Sequence, residues 1–148
     1  MTSQIFDLEQ YLPYLAARFA GRISRALAAR YQQQFDLSIA DWRIIANLSQ
    51  FDEVSVKDIV ARVELDRVKV TRAVQQLVQR GLLSKHINAG DRRLVKLSLT
   101  PQGVALFQAL KTIAIQFEQE ALYGLTDDEK HTLTHLFSKI ENNLRENR

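Results

Sequence analysis

A mainly helical fold with a small β component (α+β) is the expectation for these 148 residues: six helices, with one β-hairpin between the fourth and the fifth. Three observations carry it. Apolar residues recur at three- and four-residue spacing along most of the chain. Helix-start signatures stand before these stretches at Ser38–Asp41, Ser55–Asp58, Asp66, Thr100–Pro101 and Thr126–Glu129. Between Gly81 and Thr100 the period changes once, to strict alternation.

Residues 5–33 read as helical, with Leu8, Leu12, Leu15, Phe19, Ile23, Ala26 and Leu27 on one stripe. Pro13 divides a short opening turn from the main helix, because proline is tolerated only in a first helical turn. Ser38 caps the second helix, Asp41 holds the capping-box position, and Leu37 with Trp42 has the spacing of a hydrophobic staple. The same grammar recurs at Val54-Ser55-Val56-Lys57-Asp58-Ile59 for a short third helix to about Val63. Glu64-Leu65-Asp66 then connects tightly to a fourth helix, capped by Asp66 and closed by Gly81. Two helices across such a turn make a helix-turn-helix. Leu82–Ile87 is a strand, Asn88-Ala89-Gly90-Asp91 a turn, and Val95, Leu97 and Leu99 alternate with Lys96 and Ser98 in a second strand. A hairpin directly after a helix-turn-helix is a wing. A long fifth helix runs from Pro101 to about Tyr123, Gly124 ends it, and Thr126 opens the sixth.

Composition narrows the function. Apolar residues are 46% and charged residues 25%, which excludes wholesale disorder. No cysteine is present, so disulfides, thiolate zinc sites, cysteine nucleophiles and thiol redox switches are all excluded. No apolar run approaches the roughly 20 residues that span a bilayer, and the first residues, MTSQIFDLEQ, are acidic and unlike a signal. A cytoplasmic protein without a membrane partner is expected. The net charge of +3 conceals an asymmetry. Ser55–Lys96 holds ten bases against four acids, a net of +6, while the other 106 residues hold ten bases and thirteen acids, a net of −3. A basic middle between mildly acidic ends suits a polyanionic partner, against the plainer reading of a solvated basic face.

The fourth helix separates into two faces on a 100° wheel. Val70, Ala73, Val74, Leu77 and Val78 form the core stripe, whereas Val68, Lys69, Arg72, Gln75, Gln76 and Gln79 lie opposite, with Thr71 at the border. Arginine donates twice to guanine, glutamine pairs with adenine, and Val68 suits a thymine methyl. Ser55, Val56 and Lys57, at a helix start, offer backbone N–H groups and an ammonium to a phosphate.

The whole chain resembles the MarR family of winged-helix transcriptional regulators. The resemblance lies in Leu65-Asp66-Arg67-Val68-Lys69-Val70-Thr71-Arg72 leading through Leu77 to Arg80-Gly81-Leu82. It continues in Asp91-Arg92-Arg93 and in Val95-Lys96-Leu97-Ser98-Leu99-Thr100-Pro101-Gln102-Gly103. These last two are similar to the family's D-x-R wing tip and L-T-x-x-G element, and Leu37–Arg43 is similar to its second-helix opening. The resemblance implies a homodimer held by the terminal helices (residues 1–36 and 101–148), around a winged helix-turn-helix at 37–100. It further implies major-groove reading of double-stranded DNA by Arg67, Val68, Lys69, Thr71, Arg72, Gln75 and Gln76 on a pseudo-palindrome. By analogy Arg93, held by Asp91, enters the minor groove while Arg92 contacts the backbone; the doubled arginine leaves the assignment of the two open. The apolar stripes of the terminal helices (Leu106, Leu110, Ile113, Phe117; Leu133, Leu136, Phe137, Ile140, Leu144) support a partner subunit independently.

Members of this family commonly respond to small aromatic or anionic molecules, so an effector is expected here and no other cofactor. Tyr11, Tyr14, Arg18, Arg22 and Arg25 share one face of the first helix and could hold an aromatic carboxylate, with Trp42 either in the core or lining the same cavity. The competing reading pairs these arginines with acidic residues of the terminal helices, and surface ion pairs of that kind are common. His131 and His135 have metal-pair spacing but lack further ligands, and His86 falls on the wing. No nucleophile has a base beside it, and the five glycines are scattered, so neither a catalytic site nor a phosphate loop is expected. The expectation is a ligand-relieved repressor. Its alternatives are a dimeric protein-interaction module that has lost DNA binding, and a nonspecific architectural DNA binder.

Overall fold

The computed structural model describes residues 5–87, 89–91 and 94–146. A 3-10 turn at Leu8–Gln10 precedes α1 (Leu12–Phe35), α2 (Ile39–Leu48), β1 (Val54–Ser55), α3 (Val56–Val63), α4 (Arg67–Gln79), β2 (Leu83–Ile87), β3 (Val95–Leu99), α5 (Pro101–Ala121) and α6 (Asp127–Glu146). The six helices and the wing hairpin are those expected. The chain divides into two compact units, Met1–Ala114 and Ile115–Arg148.

Local chemistry sets the boundaries. Asp7 caps the opening turn by accepting from the Glu9 N–H at 3.0 Å, and Pro13 sits in the first turn of α1. The first helix runs two residues past its expected end at 33, to Phe35, and closes on Asp36 in the left-handed region (φ +52°). At α2 the capping box is complete: Ser38 Oγ accepts from the Asp41 N–H at 3.1 Å, and Asp41 Oδ2 accepts from the Ser38 N–H at 2.8 Å. At α3, Ser55 Oγ accepts from the Asp58 N–H, and Val54 and Ile59 are both buried, as a staple pair requires. At α6 the Thr126 hydroxyl accepts from the Glu129 N–H and donates to the Glu129 carboxylate. α5 stops at Ala121, two residues before its expected end, and Gly124 takes φ +91° in the turn that follows.

One strand was not expected. Val54 and Ser55 pair with β3 (Val54↔Leu97, Ser55↔Lys96), turning the hairpin into a three-stranded antiparallel sheet of order β1-β3-β2. Two residues carry no readable alternation, and the partner strand lies some forty residues further on. The hairpin register is Leu83↔Leu99, Lys85↔Leu97 and Ile87↔Val95, so the central strand contributes the fully buried Leu97.

The core of the first unit crosses the boundaries drawn at residues 36 and 101. Ala28 and Tyr31 of α1, Ile44, Ile45 and Leu48 of α2, Ile59 and Val63 of α3, Val70, Val74 and Leu77 of α4, Leu97 of β3 and Leu110 of α5 form one cluster. Two glycines matter to this packing. Gly81 adopts φ +74°, which lets the chain leave α4 for β2. At Gly103 a Cβ would stand 2.2 Å from the Leu82 carbonyl oxygen, so only glycine allows α5 to start against this turn. Thr100 completes the joint: its hydroxyl donates to the Gly81 carbonyl at 2.6 Å and accepts from the Gly103 N–H at 3.0 Å. In the second unit no residue of α6 is buried, and Leu136, Phe137, Ile140 and Leu144 are exposed.

Candidate nucleic-acid interface

α4 is held by its apolar side and open on the other. Asp66 Oδ1 accepts from the Lys69 N–H at 2.9 Å, fixing the first turn, and Glu64 reaches φ +55° to make the tight connection from α3. Val70, Ala73, Val74 and Leu77 are buried, Val78 is half-buried, and Arg67, Val68, Lys69, Thr71, Arg72, Gln75, Gln76 and Gln79 are all exposed. The structure thus brings every α4 residue singled out in the sequence to one solvent-facing surface. Arg67, Val68, Thr71, Arg72 and Gln75 line a shallow hollow of about 440 Å³ on it.

The helix-start trio divides. The Ser55 hydroxyl serves as the α3 cap, and Val56 packs against the core, so of the three only Lys57 has its side chain in solvent. On the wing, Asp91 is half-buried and its carbonyl accepts from the Leu94 N–H at 3.0 Å. Arg92 and Arg93 lie outside the described residues.

Not every cation of the +6 segment is turned toward this surface. Arg80 donates to the carbonyls of Phe35 and Asp36, at 2.9 Å each, and so serves the C-terminus of α1. The Arg62 guanidinium lies 4.5 Å from the centre of the Phe51 ring, and Lys96 Nζ lies 3.7 Å from a Glu53 carboxylate oxygen. These partners are distant or irregular in sequence, which is why a segment charge overstates the charge facing a ligand.

Of the expected effector strip on α1, Tyr11 lines a shallow hollow of about 290 Å³ with Ile5, Phe6, Asp7 and Gln10. Tyr11, Tyr14 and Arg22 are exposed, and Arg18 stacks over Tyr14 at 5.5 Å while pairing with Glu9, in the turn before α1, at 3.2 Å. Trp42 lies against Tyr31, ring centres 5.9 Å apart, at the edge of the core. A cleft of about 590 Å³ opens elsewhere, between α1, α2 and α4, with Arg25, Arg43, Lys69, Arg72 and Gln76 among its walls and no acidic residue lining it. Wheel geometry placed Arg25 on the right helix, but Arg43 was missed. Its guanidinium donates to the Val63 carbonyl at 3.0 Å and to Ser24 Oγ at 3.2 Å, tying α2 to α1 and to the end of α3. Beside it, burial pushes the Tyr31 phenol up to about 12; nearby Arg43 opposes the shift and Asp41 adds to it.

Among the described residues no group of three or more His, Asp or Glu side chains could hold a metal ion, and His131 and His135 are exposed on α6. No helix is long and apolar enough to cross a membrane among the described residues.

Comparison with known proteins agrees with this geometry. The profile of the MarR family matches residues 35–94, the stretch that contains α2, β1, α3, α4 and the first strand of the wing, β2. A MarR-family transcriptional regulator from Silicibacter pomeroyi is 26% identical and superposes with a TM-score of 0.81 over 93% of this chain and 92% of that one. BpsR of Bordetella bronchiseptica, whose DNA binding is regulated by 6-hydroxynicotinic acid, is 24% identical. Its TM-score is 0.80 over 92% of this chain and 96% of that one. The HTH-type transcriptional regulator YdgJ of Bacillus subtilis is 24% identical over 122 residues, 82% of this chain and 74% of its own length. The profile falls on the helix-turn-helix whose outer face is open, and the shared fold extends through the terminal helices: residues 35–94 match the MarR family, and the chain has the fold of MarR-family winged-helix transcriptional regulators.

Proposed function

We propose that the protein is a homodimeric, sequence-specific repressor, released from a pseudo-palindromic operator by a small aromatic or anionic ligand. The observation that carries the DNA-reading part is the outer face of α4, where two arginines, a lysine, two glutamines, Val68 and Thr71 are exposed together above a fully packed inner face. Hydrogen-bond donors of this kind suit guanine and adenine edges in a major groove. Lys57 contributes a phosphate contact, with the backbone at Ser55 and Val56 beside it, and Asp91, Arg92 and Arg93 form the wing contact.

Dimerisation through residues 1–36 and 101–148 is supported by the apolar surface at the chain's ends. Ile5, Phe6 and Leu12 are exposed in the first unit, and Tyr123, Phe137 and Leu144 in the second. A second copy covers such surfaces and sets two α4 helices about 34 Å apart, one DNA turn. For the ligand, the cleft replaces the Tyr11–Tyr14–Arg18–Arg22–Trp42 strip as the seat. Four cationic side chains and no acid favour an anion there, and BpsR is an example of the fold whose DNA binding responds to an aromatic acid. Lys69, Arg72 and Gln76 belong both to the cleft and to the α4 face, so an anion held there draws on groups that DNA needs.

The test is a selection from random duplexes followed by anisotropy titrations against salt. Wild type binds the selected duplex far more tightly than random DNA, Arg72→Ala narrows that difference, and Lys57→Ala lowers the salt slope by about one per subunit. Equal affinity for both duplexes overturns the reading. Sedimentation of the free protein as a monomer at micromolar concentration overturns the dimer.

A further inference from the structure

We infer that the protein reads the 5-methyl group of a thymine, with Val68 and Thr71 as its apolar seat, so that one operator position is chosen by methyl contact and not by hydrogen bonding. This rests on the placement of α4 in the major groove proposed above. Val68 is 67% exposed although every residue beside it on that face is polar or cationic. Nothing structural selects valine there: a β-branched side chain is a middling helix former, and one so exposed gains little from packing. Thr71, whose side chain also carries a methyl group, stands three residues on, on the same face, and lines the same hollow. Around these two groups stand Arg67, Arg72 and Gln75, and no carboxylate lines the hollow.

The surroundings choose the occupant. An apolar group of a partner protein would fit two methyls alone, but a rim of cationic and amide donors in a +6 segment suits a polyanion. Among the DNA bases only thymine carries a methyl into the major groove, with an O4 acceptor beside it for a donor on the rim. Cytosine offers only an amino donor there, which the guanidinium groups do not pair with, and adenine and guanine offer acceptors without a methyl. The reading has a corollary: 5-methylcytosine carries the same methyl on the same carbon, so methylation of a cytosine placed at this position strengthens binding.

The experiment uses the full-length protein and its selected duplex. Each thymine of a half-site is replaced in turn by deoxyuridine, which removes the methyl and leaves every hydrogen-bonding group in place. At one position wild-type affinity falls about fourfold, the factor that corresponds to burying one methyl-sized group. Val68→Ala binds the thymine and deoxyuridine duplexes equally, while Val68→Ile, which keeps a branched apolar side chain, retains the discrimination. With cytosine at that position, 5-methylation restores about fourfold to wild type and nothing to Val68→Ala. A selected operator at which no deoxyuridine substitution matters, or a Val68→Ala protein as methyl-sensitive as wild type, overturns the inference and leaves the reading by Arg72 and the glutamines intact. If selection yields no consensus at all, it is the sequence-specific function that falls.

Discussion

Arg80, one residue past the end of α4, donates from its guanidinium to the Phe35 carbonyl at 2.9 Å, with a second bond of equal length to Asp36. The two carbonyls end α1 and would otherwise face water alone, so the arginine satisfies orphan acceptors and complements the negative end of the helix. A cation in the basic segment thereby serves the fold. Arg80→Met is expected to lower stability by about 1 kcal/mol, seen as a melting temperature about 3 °C lower. Operator affinity at fixed salt should fall far less than in Arg72→Ala. A loss of affinity equal to that of Arg72→Ala, with unchanged melting, would show that Arg80 faces DNA.

Gly103→Ala is expected to be among the most damaging single-methyl changes in the chain. The added Cβ meets the Leu82 carbonyl oxygen, a backbone atom that cannot rotate away. Overpacking of this kind costs about 2–3 kcal/mol. Chemical denaturation gives the number, and a midpoint shift within error of Gly21→Ala, where an added Cβ meets only the movable end of the Arg25 side chain, would refute the close approach.

Alkaline pH should unfold the protein through Tyr31. Its phenol ionises at about 12 in the folded chain, because burial penalises the phenolate, and near 10 in the unfolded chain. The folded state therefore holds its proton through a window in which the unfolded state has lost it. The sign follows: this contribution is complete below pH 10 and drains away between 10 and 12, by about 1.4 kcal/mol per pH unit. Melting curves across that range, compared with Tyr31→Phe, isolate the effect. Equal slopes for the two proteins would mean that the phenol titrates normally.

Arg25 separates the cleft from the DNA-reading face, since it lines the former and lies on α1. Arg25→Ala is expected to weaken stabilisation by aromatic carboxylates in a thermal-shift screen by about tenfold in ligand concentration, in line with one charge-assisted pair. Its operator affinity in the absence of ligand should stay within about twofold of wild type. Loss of ligand response in Arg18→Ala instead would return the seat to the outer strip.

Much of the fold was legible because its signals are local. Ser38, Ser55, Asp66 and Thr126 act within three residues of themselves, and each cap is found where the sequence placed it. The two faces of α4 were equally readable, because burial there follows helical period. Contacts across long sequence separations escaped. β1 needs β3, Arg80 bonds to residues 44 and 45 positions away, and Arg43 reaches Ser24 and Val63, 19 and 20 positions away. The cleft depends on three helices meeting, so a single-helix wheel could supply Arg25 and not Arg43. The wheel likewise could not show that Glu9, nine residues from Arg18, pairs with its guanidinium.

The pairing of Val54 and Ser55 with Leu97 and Lys96 joins the start of α3 to the middle strand of the wing. The ladder ends at Ser55, whose hydroxyl also accepts from the Asp58 N–H in the first turn of α3, while α3 and α4 share the buried residues Ile59, Val63, Val70 and Leu77. The paired part of the wing and the reading helix thus share one footing: β3 cannot slide along its length without pulling on the first turn of α3, which packs in the same core as α4.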